Sequence, residues 1–408
     1  MQKIFKNKLS LLSYALVCIV VFYRRPDAFY HSQFWAEEGI VFYKDAFENG
    51  FSSLFYTCAG YYHLFPRLLA CLAVSLQLPF HVITILFCYA WLFILFLLVF
   101  YIWKRLPFQS FQKFAIVLVI VLLPLQSEVF MNQTNMQWIM ALFPIIIFSS
   151  LNNNSTTHWL WLDIIVLIIT GFTGPNFTVL LPLFLFLVWF QKSIWRKQKP
   201  VLFLYAIAIA IGLIGGLALM NHGSVSRTNA TSFILLNEGF IKYVFAQYWF
   251  MFIGKFVFKM PLIIMIIGCL LTGIFFGWVL KQLFQKQIPH FVVISFIVGL
   301  LFLGSTIIAY RYEPELLSPY YRGVRNFYIP GLTFVWIIIY FISLLPKAKI
   351  VLSLLMVLFS LELLVFVGSQ TFTNFTPNNY SYKINHTDSI SIPINPEGWY
   401  IQLNSKNK

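Results

Sequence analysis

The sequence predicts an all-α polytopic membrane protein with about eleven transmembrane helices and with interfacial helices in the first outer loop. Three observations lead there: 60% of the 408 residues are hydrophobic, only 10% are charged, and the mean hydropathy is +0.80. A soluble domain is roughly 45–50% apolar and about 25% charged. A soluble core of this length cannot hide so much apolar surface, because folded globules leave much of their surface in water.

A span needs about 20 mostly apolar residues, and the chain has eleven candidate runs. They are 9–23, 80–103, 113–127, 137–150, 159–173, 177–191, 201–220, 260–280, 290–309, 327–345 and 348–368. The first run lacks a small-x-small cleavage site, so we expect it to remain as a span. We therefore predict a membrane body over 1–368 and an extracytoplasmic tail over 369–408.

The distribution of charge predicts the orientation. With the N-terminus in the cytoplasm, the inner loops hold only basic residues, and all acidic residues except Asp163 and Glu362 lie outside. Excess Lys and Arg in cytoplasmic loops is the usual pattern of membrane proteins, so the net charge of +15 does not indicate nucleic acid. The apolar segment 62–79 is predicted to lie along the outer surface, because a crossing there would turn the basic loop 192–199 outward.

An acidic pair, Glu37 and Glu38, stands in Gln33-Phe-Trp-Ala-Glu-Glu-Gly39, directly after the first span. Adjacent carboxylates raise each other's pKa, which suits a general base. Neighbours on a helix point in different directions, so only one is expected to face a reacting centre. The alternative interpretation is a solvated helix start, where acids favour the helix dipole.

Two groups of cationic residues are candidates for binding an anion. Arg311, Arg322 and Arg325 cluster after a late span, where they face either a lipid phosphate or internal acidic partners. His63 and Arg67 are four residues apart and share one helix face.

Two amides, Asn132 and Gln137, follow in the next outer loop; they either hold sugar hydroxyls or satisfy nearby backbone. No CxxC, HExxH, GxSxG or glycine-rich phosphate loop is present, so we predict no metal site, cofactor or nucleotide site. The sequence leaves open whether a divalent metal assists.

Three motifs carry a resemblance to a known group. They are Phe34-Trp-Ala-Glu-Glu-Gly39, Ala59-Gly-Tyr-Tyr-His-Leu-Phe-Pro-Arg67 and Ile394-Asn-Pro-Glu-Gly-Trp399. The chain resembles a bacterial group of membrane proteins similar to the GT-C superfamily of glycosyltransferases, whose members often read W-A-E-D-G and A-G-Y-x-H-x-x-P-R. Glu38 departs from that pattern, which has Asp, and leaves open which of the two acids is the base.

The resemblance implies an inverting glycosyltransferase in the bacterial cytoplasmic membrane. It would move a sugar from a polyprenyl-phosphate donor to an envelope glycan, lipid or protein acceptor on the outer face. Glu37 or Glu38 would act as the base, and the remaining candidates would bind the substrates: His63, Arg67, Asn132, Gln137, Arg311, Arg322 and Arg325.

Two alternatives remain open. An O-antigen polymerase or ligase normally uses a large late outer loop, and 310–326 is short for one. A transporter needs a polar path at mid-membrane, where this chain offers only Asp163 and Glu362 and no visible repeat.

Overall fold

The structure, a computed structural model, describes residues 2–123, 129–151, 156–221, 238–285, 288–310, 322–367 and 389–404. Over this part of the chain it is mostly helical. Five helical segments are long and apolar enough to cross a membrane: Phe80–Arg105, Lys199–Asn221, Leu262–Leu283, His290–Ala309 and Arg325–Ile342. Most of the other predicted spans coincide with shorter apolar helices, so the number of crossings, eleven, stays a prediction.

The first half of the chain contains thirteen helices among its described residues. They are α1 Gln2–Arg24, α2 Pro26–Tyr30, α3 Lys44–Asn49, α4 Leu64–Ser75, α5 Phe80–Arg105, α6 Ser110–Leu122, α7 Met136–Met140, α8 Leu142–Ser149, α9 Thr156–Gly171, α10 Asn176–Val179, α11 Leu181–Phe190, α12 Lys192–Lys197 and α13 Lys199–Asn221. A π-helical turn, Glu38–Tyr43, precedes α3, and a 3-10 segment, Gly50–Phe55, follows it.

The second half adds α14 Glu238–Ile253, α15 Leu262–Phe284, α16 His290–Ala309, α17 Tyr328–Ile342 and α18 Ala348–Val367, with 3-10 turns at Gly254–Lys259 and Arg322–Phe327. Between the predicted spans 201–220 and 260–280, the chain forms α14, which packs against α15, α17 and α18.

The mostly helical fold agrees with the all-α prediction, and two short antiparallel β-hairpins add a little sheet to it. Strands β1 (Thr57–Cys58) and β2 (Tyr61–Tyr62) pair in the first loop, and β3 (Ser389–Ile394) and β4 (Trp399–Asn404) pair near the C-terminus. The tail predicted over 369–408 is thus a folded hairpin in its described part. Ile392, Ile394 and Ile401 alternate with more exposed residues, so one face of this hairpin is buried.

Helix α5 shows how the sequence produces a long span. It begins after Pro79, ends at the basic residues Lys104 and Arg105, and its 26 residues extend about 39 Å. Basic side chains at a C-terminus favour the helix dipole. We call the end of the bundle at which α5 begins the site end.

The main core lies between α5, α6, α8, α16 and α17, and two of its buried side chains donate to backbone carbonyls of α6. The Trp336 indole donates to the Ile116 carbonyl at 3.2 Å, and the Tyr328 hydroxyl donates to the Ile120 carbonyl at 3.0 Å. Pairing of this kind is needed because no water reaches the interior of an apolar bundle.

A smaller second core lies at the site end. It joins the first loop, the start of α5 and the C-terminal hairpin through Phe34, Phe42, Ala70, Phe87 and Ile401. This core fixes the first loop, which carries most of the candidate site residues.

Candidate functional site

The β1–β2 hairpin is the centre of the candidate site. Its turn residues Ala59 and Gly60 both have left-handed backbones, with φ of 52° and 86°. The chain beyond it is tied to the turn between α9 and α10: the Leu64 N–H donates to the Phe172 carbonyl, and the Gly174 N–H donates to the Tyr62 carbonyl, both at 2.9 Å. The hairpin is therefore held between the first loop and the helical bundle.

Glu38 is buried, with 2% of its surface exposed. Its carboxyl oxygens accept hydrogen bonds from the backbone N–H of Trp35, at 2.7 Å, and from that of Gln133. Burial raises the pKa of Glu38 to about 8, and the two backbone donors and Arg25 oppose that rise without cancelling it. Glu38 thus joins the first loop to the loop before α7.

Each of the two backbone groups that Glu38 holds lies within two residues of a residue with a strained backbone. Ala36 and Met131 have φ of 45° and 57°, a region that residues with a side chain rarely adopt. Such conformations cost about 1–3 kcal/mol each and persist only where the surroundings impose them.

Glu37 points elsewhere. Its side chain is partly exposed and makes no hydrogen bond to any residue that the structure describes. Its charge acts on the side chains of Cys58 and Tyr61, which places it beside the β1–β2 hairpin. As expected for helical neighbours, the two acids differ in direction: Glu38 faces the protein, and Glu37 faces a partly open space.

Arg67 is fully buried on α4 and forms an ion pair with Asp45 on α3, with 2.8 Å between Nη1 and Oδ2. Its guanidinium lies 5.5 Å from the centre of the Phe42 ring. The Nε and Nη2 donors of Arg67 have no hydrogen-bond partner in the part of the chain that the structure describes. A buried arginine with two free donors presents a fork that matches two oxygens of an anion.

The charged side chains of Arg67, Asp45 and Glu37 all lie close enough to Cys58 of the hairpin to affect it electrostatically. Burial raises the pKa of the Cys58 thiol, and the charges of these three residues also act on it. One unpaired carboxylate and one incompletely paired guanidinium therefore lie close to the same strand.

His63 is buried at the start of α4, between the rings of Phe42 and Tyr61 at 4.8 and 4.7 Å. Burial lowers the pKa of His63 to about 3, and the positive charge of Arg67 contributes to this decrease as a smaller cause. The Nδ1 atom of His63 has no hydrogen-bond partner among the residues that the structure describes. His63 is therefore neutral at physiological pH. Its ring can donate and accept hydrogen bonds, but it adds no positive charge to the site.

The two amides have different surroundings. The Asn132 side chain accepts a hydrogen bond from the Asn135 N–H at 2.9 Å, so it stabilises its own loop. The Gln137 side chain is buried and interacts with Tyr61, and it packs so closely on Gly174 that a Cβ there would lie 2.7 Å from the Gln137 Cβ.

Of the three late arginines, the structure places one side chain. Arg325 donates to the Asn135 amide oxygen at 3.4 Å, and its charge acts on Tyr61. Arg322 begins a 3-10 turn, and its side chain is not among those described; Arg311 lies outside the described residues.

The two ends of the chain meet at the acidic motif. The Ala36 N–H donates to the Asn395 carbonyl at 2.5 Å, and the Asn395 N–H donates to the Phe34 carbonyl at 3.2 Å. A Cβ on Gly39 would lie 2.6 Å from Ile401 and 2.9 Å from Ile394. Gly39 is therefore required for the C-terminal hairpin to pack on the motif.

Asp163 lies away from this site, paired with Arg105 at the far end of α5. The guanidinium contacts both carboxylate oxygens, at 3.0 and 3.1 Å, and also donates to Ser150. Glu362 lies on α18, and its side chain is not among those described.

Sequence reasoning missed three contributors to the site. The sequence indicates Asp45 only as one of the outer acids, although its position about two helical turns after the acidic pair is a usable signal. Tyr61 belongs to a motif but was given no role. Gln133 contributes through its backbone N–H, which no side-chain pattern reveals.

No protein family, curated protein or solved structure matches this chain. Among the described residues, no group of three His, Cys, Asp or Glu side chains is arranged to hold a metal ion.

Proposed function

We propose that this protein is an inverting, GT-C-like glycosyltransferase of the bacterial cytoplasmic membrane. It transfers a sugar from a polyprenyl-phosphate donor to a hydroxyl of an envelope glycan, lipid or protein, with the site end facing outward. The proposal depends on two groups that lie near the same β1–β2 hairpin. One is the partly exposed carboxylate of Glu37, and the other is the buried guanidinium of Arg67, which has two unused donors among the described residues.

The proposed reaction uses these groups directly. Glu37 accepts the proton of the acceptor hydroxyl. At the same time, the hydroxyl oxygen forms a bond to the anomeric carbon, and the bond from that carbon to the phosphate oxygen breaks. Displacement from the opposite side inverts the anomeric centre. Arg67 stabilises the negative charge that develops on the departing lipid phosphate, with Arg325 as a second cation.

Glu38 takes a positioning role in this scheme. Its carboxyl group is held by two backbone donors, so it has little freedom to reach a substrate. It orients the backbone from Trp35 to Glu37, and this assigns the base to the first acid of the pair.

An apolar groove supports a lipid-linked donor. It has a volume of about 520 Å³ and lies between the π-turn, α4 and the start of α5, with Tyr43, Phe47, Val74 and Ile83 among its lining residues. The same loop and α4 carry Asp45 and Arg67. A prenyl chain in the groove would therefore place its phosphate near the arginine.

The competing functions gain less support. The Asp163 carboxylate, which a transport mechanism would use, is engaged by Arg105 through both oxygens. A polymerase or ligase would leave the Glu37 and Arg67 arrangement without a role.

The test is donor turnover by purified full-length protein, supplied with a set of synthetic polyprenyl-phosphate hexoses and pentoses. We expect Glu37→Gln to lower the release of polyprenyl phosphate by about 10²–10⁴-fold, the usual contribution of a general base. Glu397→Gln removes the same charge from an exposed position at the same end and should keep full activity. Wild-type turnover in Glu37→Gln would refute the assignment of the base, and no turnover of any donor by the wild type would refute the proposed reaction.

A further inference from the structure

Tyr61 is a polar residue of the site that has no part in the proposed reaction. It lies on β2 directly opposite Cys58 of β1. The side chains of two directly opposite residues project from the same face of an antiparallel pair. The turn between them, Ala59 and Gly60, has positive φ at both positions, as a tight two-residue turn requires, so the two side chains are held at a fixed spacing. We call the side of the β1–β2 hairpin that carries Cys58 and Tyr61 the hairpin face.

The two cations of the proposed reaction lie beside the two residues of the hairpin face. The charge of Arg67 acts on Cys58, and the charge of Arg325 acts on Tyr61. A direct contact supports the position of Arg325, because its guanidinium donates to the side chain of Asn135, the residue before α7, at 3.4 Å. A phosphate that contacts both guanidiniums would therefore lie over the hairpin face, within reach of the Tyr61 hydroxyl.

The first turn of α7 brings an amide side chain to Tyr61. The Gln137 side chain packs on Gly174, whose N–H donates to the carbonyl of Tyr62, the neighbour of Tyr61, at 2.9 Å. Gln137 is also the hydrogen-bond partner of the Tyr61 hydroxyl. The loop before α10 thus fixes the amide against β2.

The phenol of Tyr61 keeps its proton and can donate it in a hydrogen bond. Burial raises the pKa of Tyr61 from an ordinary value of 10.0, so the side chain is neutral at physiological pH. The hydrogen bond with Gln137 acts on the pKa in the opposite direction, as expected when an amide N–H donates to the phenol oxygen and favours the ionised form. The O–H of Tyr61 is then available to another acceptor, because a phenol both accepts and donates hydrogen bonds.

The Tyr61 side chain is fixed by packing but is not closed off. Its ring lies 4.7 Å from that of His63, which in turn lies 4.8 Å from the ring of Phe42. His63 and Phe42 are buried, whereas Tyr61, Glu37 and Arg325 are each partly exposed. The charges of Glu37 and Arg325 both act on Tyr61, so a carboxylate, a phenol and a guanidinium are accessible close to one another. Groups held in place by the protein lose little entropy when they bind a ligand.

We propose that Tyr61 is a further catalytic residue, whose hydroxyl donates a hydrogen bond to the lipid-linked phosphate that Arg67 and Arg325 bind. The inference rests on the proposed function for the identity of this anion. The proton stays on Tyr61, because the proton of the acceptor goes to Glu37 and the phosphate leaves as an anion. Negative charge develops on the phosphate as it leaves, so the hydrogen bond strengthens along the reaction. Gln137 is a positioning residue, which acts by orienting the Tyr61 hydroxyl.

Binding of farnesyl phosphate to the purified full-length protein tests this inference, with farnesol and inorganic phosphate as the comparison ligands. Tyr61→Phe keeps the ring and its packing and removes only the hydroxyl. We expect this variant to bind farnesyl phosphate about ten-fold or more weakly, since hydrogen bonds to charged groups are stronger than neutral ones, and to bind farnesol as the wild type does. Inorganic phosphate should bind more weakly than farnesyl phosphate, because it lacks the prenyl chain.

Tyr62→Phe is the matched control. It removes the same hydroxyl from the next residue, which the alternation of a strand places on the opposite side of the hairpin, where its ring packs on Phe172 at 5.8 Å. We expect its affinity for all three ligands to equal that of the wild type.

A second variant tests the positioning role of Gln137. Gln137→Met should weaken the binding of farnesyl phosphate in the wild type, but it should cause no further loss in the Tyr61→Phe protein, because the hydroxyl that it orients is already absent. Equal losses in both backgrounds would show that Gln137 does not act through Tyr61.

Three outcomes would overturn the assignment of Tyr61: wild-type affinity of Tyr61→Phe for farnesyl phosphate, an equal loss in Tyr62→Phe, or an equal loss of farnesol binding. Equal affinity of the wild type for inorganic phosphate and farnesyl phosphate would overturn the assignment to a lipid-linked phosphate.

The experiment measures binding and needs no turnover, so its failure is separable from that of the proposed reaction. If Tyr61→Phe loses affinity for farnesyl phosphate but the wild type turns over no donor, the phosphate site stands and the proposed reaction falls. If donors are turned over but Tyr61→Phe binds farnesyl phosphate like the wild type, the glycosyltransferase stands and the role of Tyr61 falls.

Discussion

Glu38 should make the stability of this protein depend on pH in an unusual direction. In the unfolded chain its pKa is near 4.5, and in the folded protein burial raises it to about 8. Between these values the unfolded state loses the proton while the folded state keeps it. Stability is therefore fully present below about pH 4.5 and falls as pH rises towards 8.

The size of this effect follows from the two pKa values. At about 1.4 kcal/mol for each pH unit, the interval from 4.5 to about 8 corresponds to a loss of about 5 kcal/mol. The direction arises because burial outweighs the two backbone hydrogen bonds and the neighbouring Arg25 charge. Complete burial of the side chain means that solvent does not reduce the effect.

Thermal unfolding in detergent, measured from pH 5 to pH 9, checks this prediction with Glu38→Gln. At pH 5 the wild type and the variant should melt at similar temperatures, because both side chains are neutral. At pH 9 the variant should melt several degrees higher, because only the wild type buries a charge. Glu37→Gln is the control and should follow the wild type, since it retains Glu38. Parallel pH curves for the wild type and Glu38→Gln would show that Glu38 ionises in the folded state without cost.

Three further predictions concern the same end of the molecule. Gly39→Ala should destabilise the protein by about 1–3 kcal/mol and expose the C-terminal hairpin to proteolysis, because the added Cβ would overlap buried side chains. Gly277→Ala is the control and should be tolerated, because no described atom would lie within 4 Å of its added Cβ. Asp45→Asn should lower the melting temperature more than Arg67→Met does, because it leaves a fully buried charge unpaired at a cost of about 3–5 kcal/mol, whereas Asp45 alone still reaches water. Equal effects would contradict the burial of Arg67. The ring of His63 should show no NMR titration between pH 5 and pH 8, and a midpoint near 6.5 would contradict its burial.

Much of the helical framework is predictable from the sequence. Helix α5 matches the run 80–103 closely, because a long apolar stretch bounded by Pro79 and by basic residues specifies its own ends. The sequence also predicts a helix from His63 onward and the acidic motif as a candidate site. These features depend on composition and on neighbours within a few residues.

Only the tertiary structure distinguishes the roles of Glu37 and Glu38. The sequence presents two adjacent, chemically equivalent acids. Their difference arises because the Gln133 backbone, 95 positions away, donates to one of them. No local pattern encodes that contact, because its partner is a main-chain group common to every residue type except proline.

The C-terminal hairpin illustrates the same limit. The sequence predicts these residues only as part of an extracytoplasmic tail. In the structure, however, Asn395 contacts Gln33, which lies 362 positions earlier in the sequence, and buried isoleucines of the hairpin pack on Gly39. The sequence by itself determined which segments are apolar enough to form membrane helices and where carboxylates and guanidiniums are available. Packing between distant segments decided which of those groups are paired, which remain free and which are buried, because desolvation and hydrogen bonding depend on neighbours in space rather than along the chain.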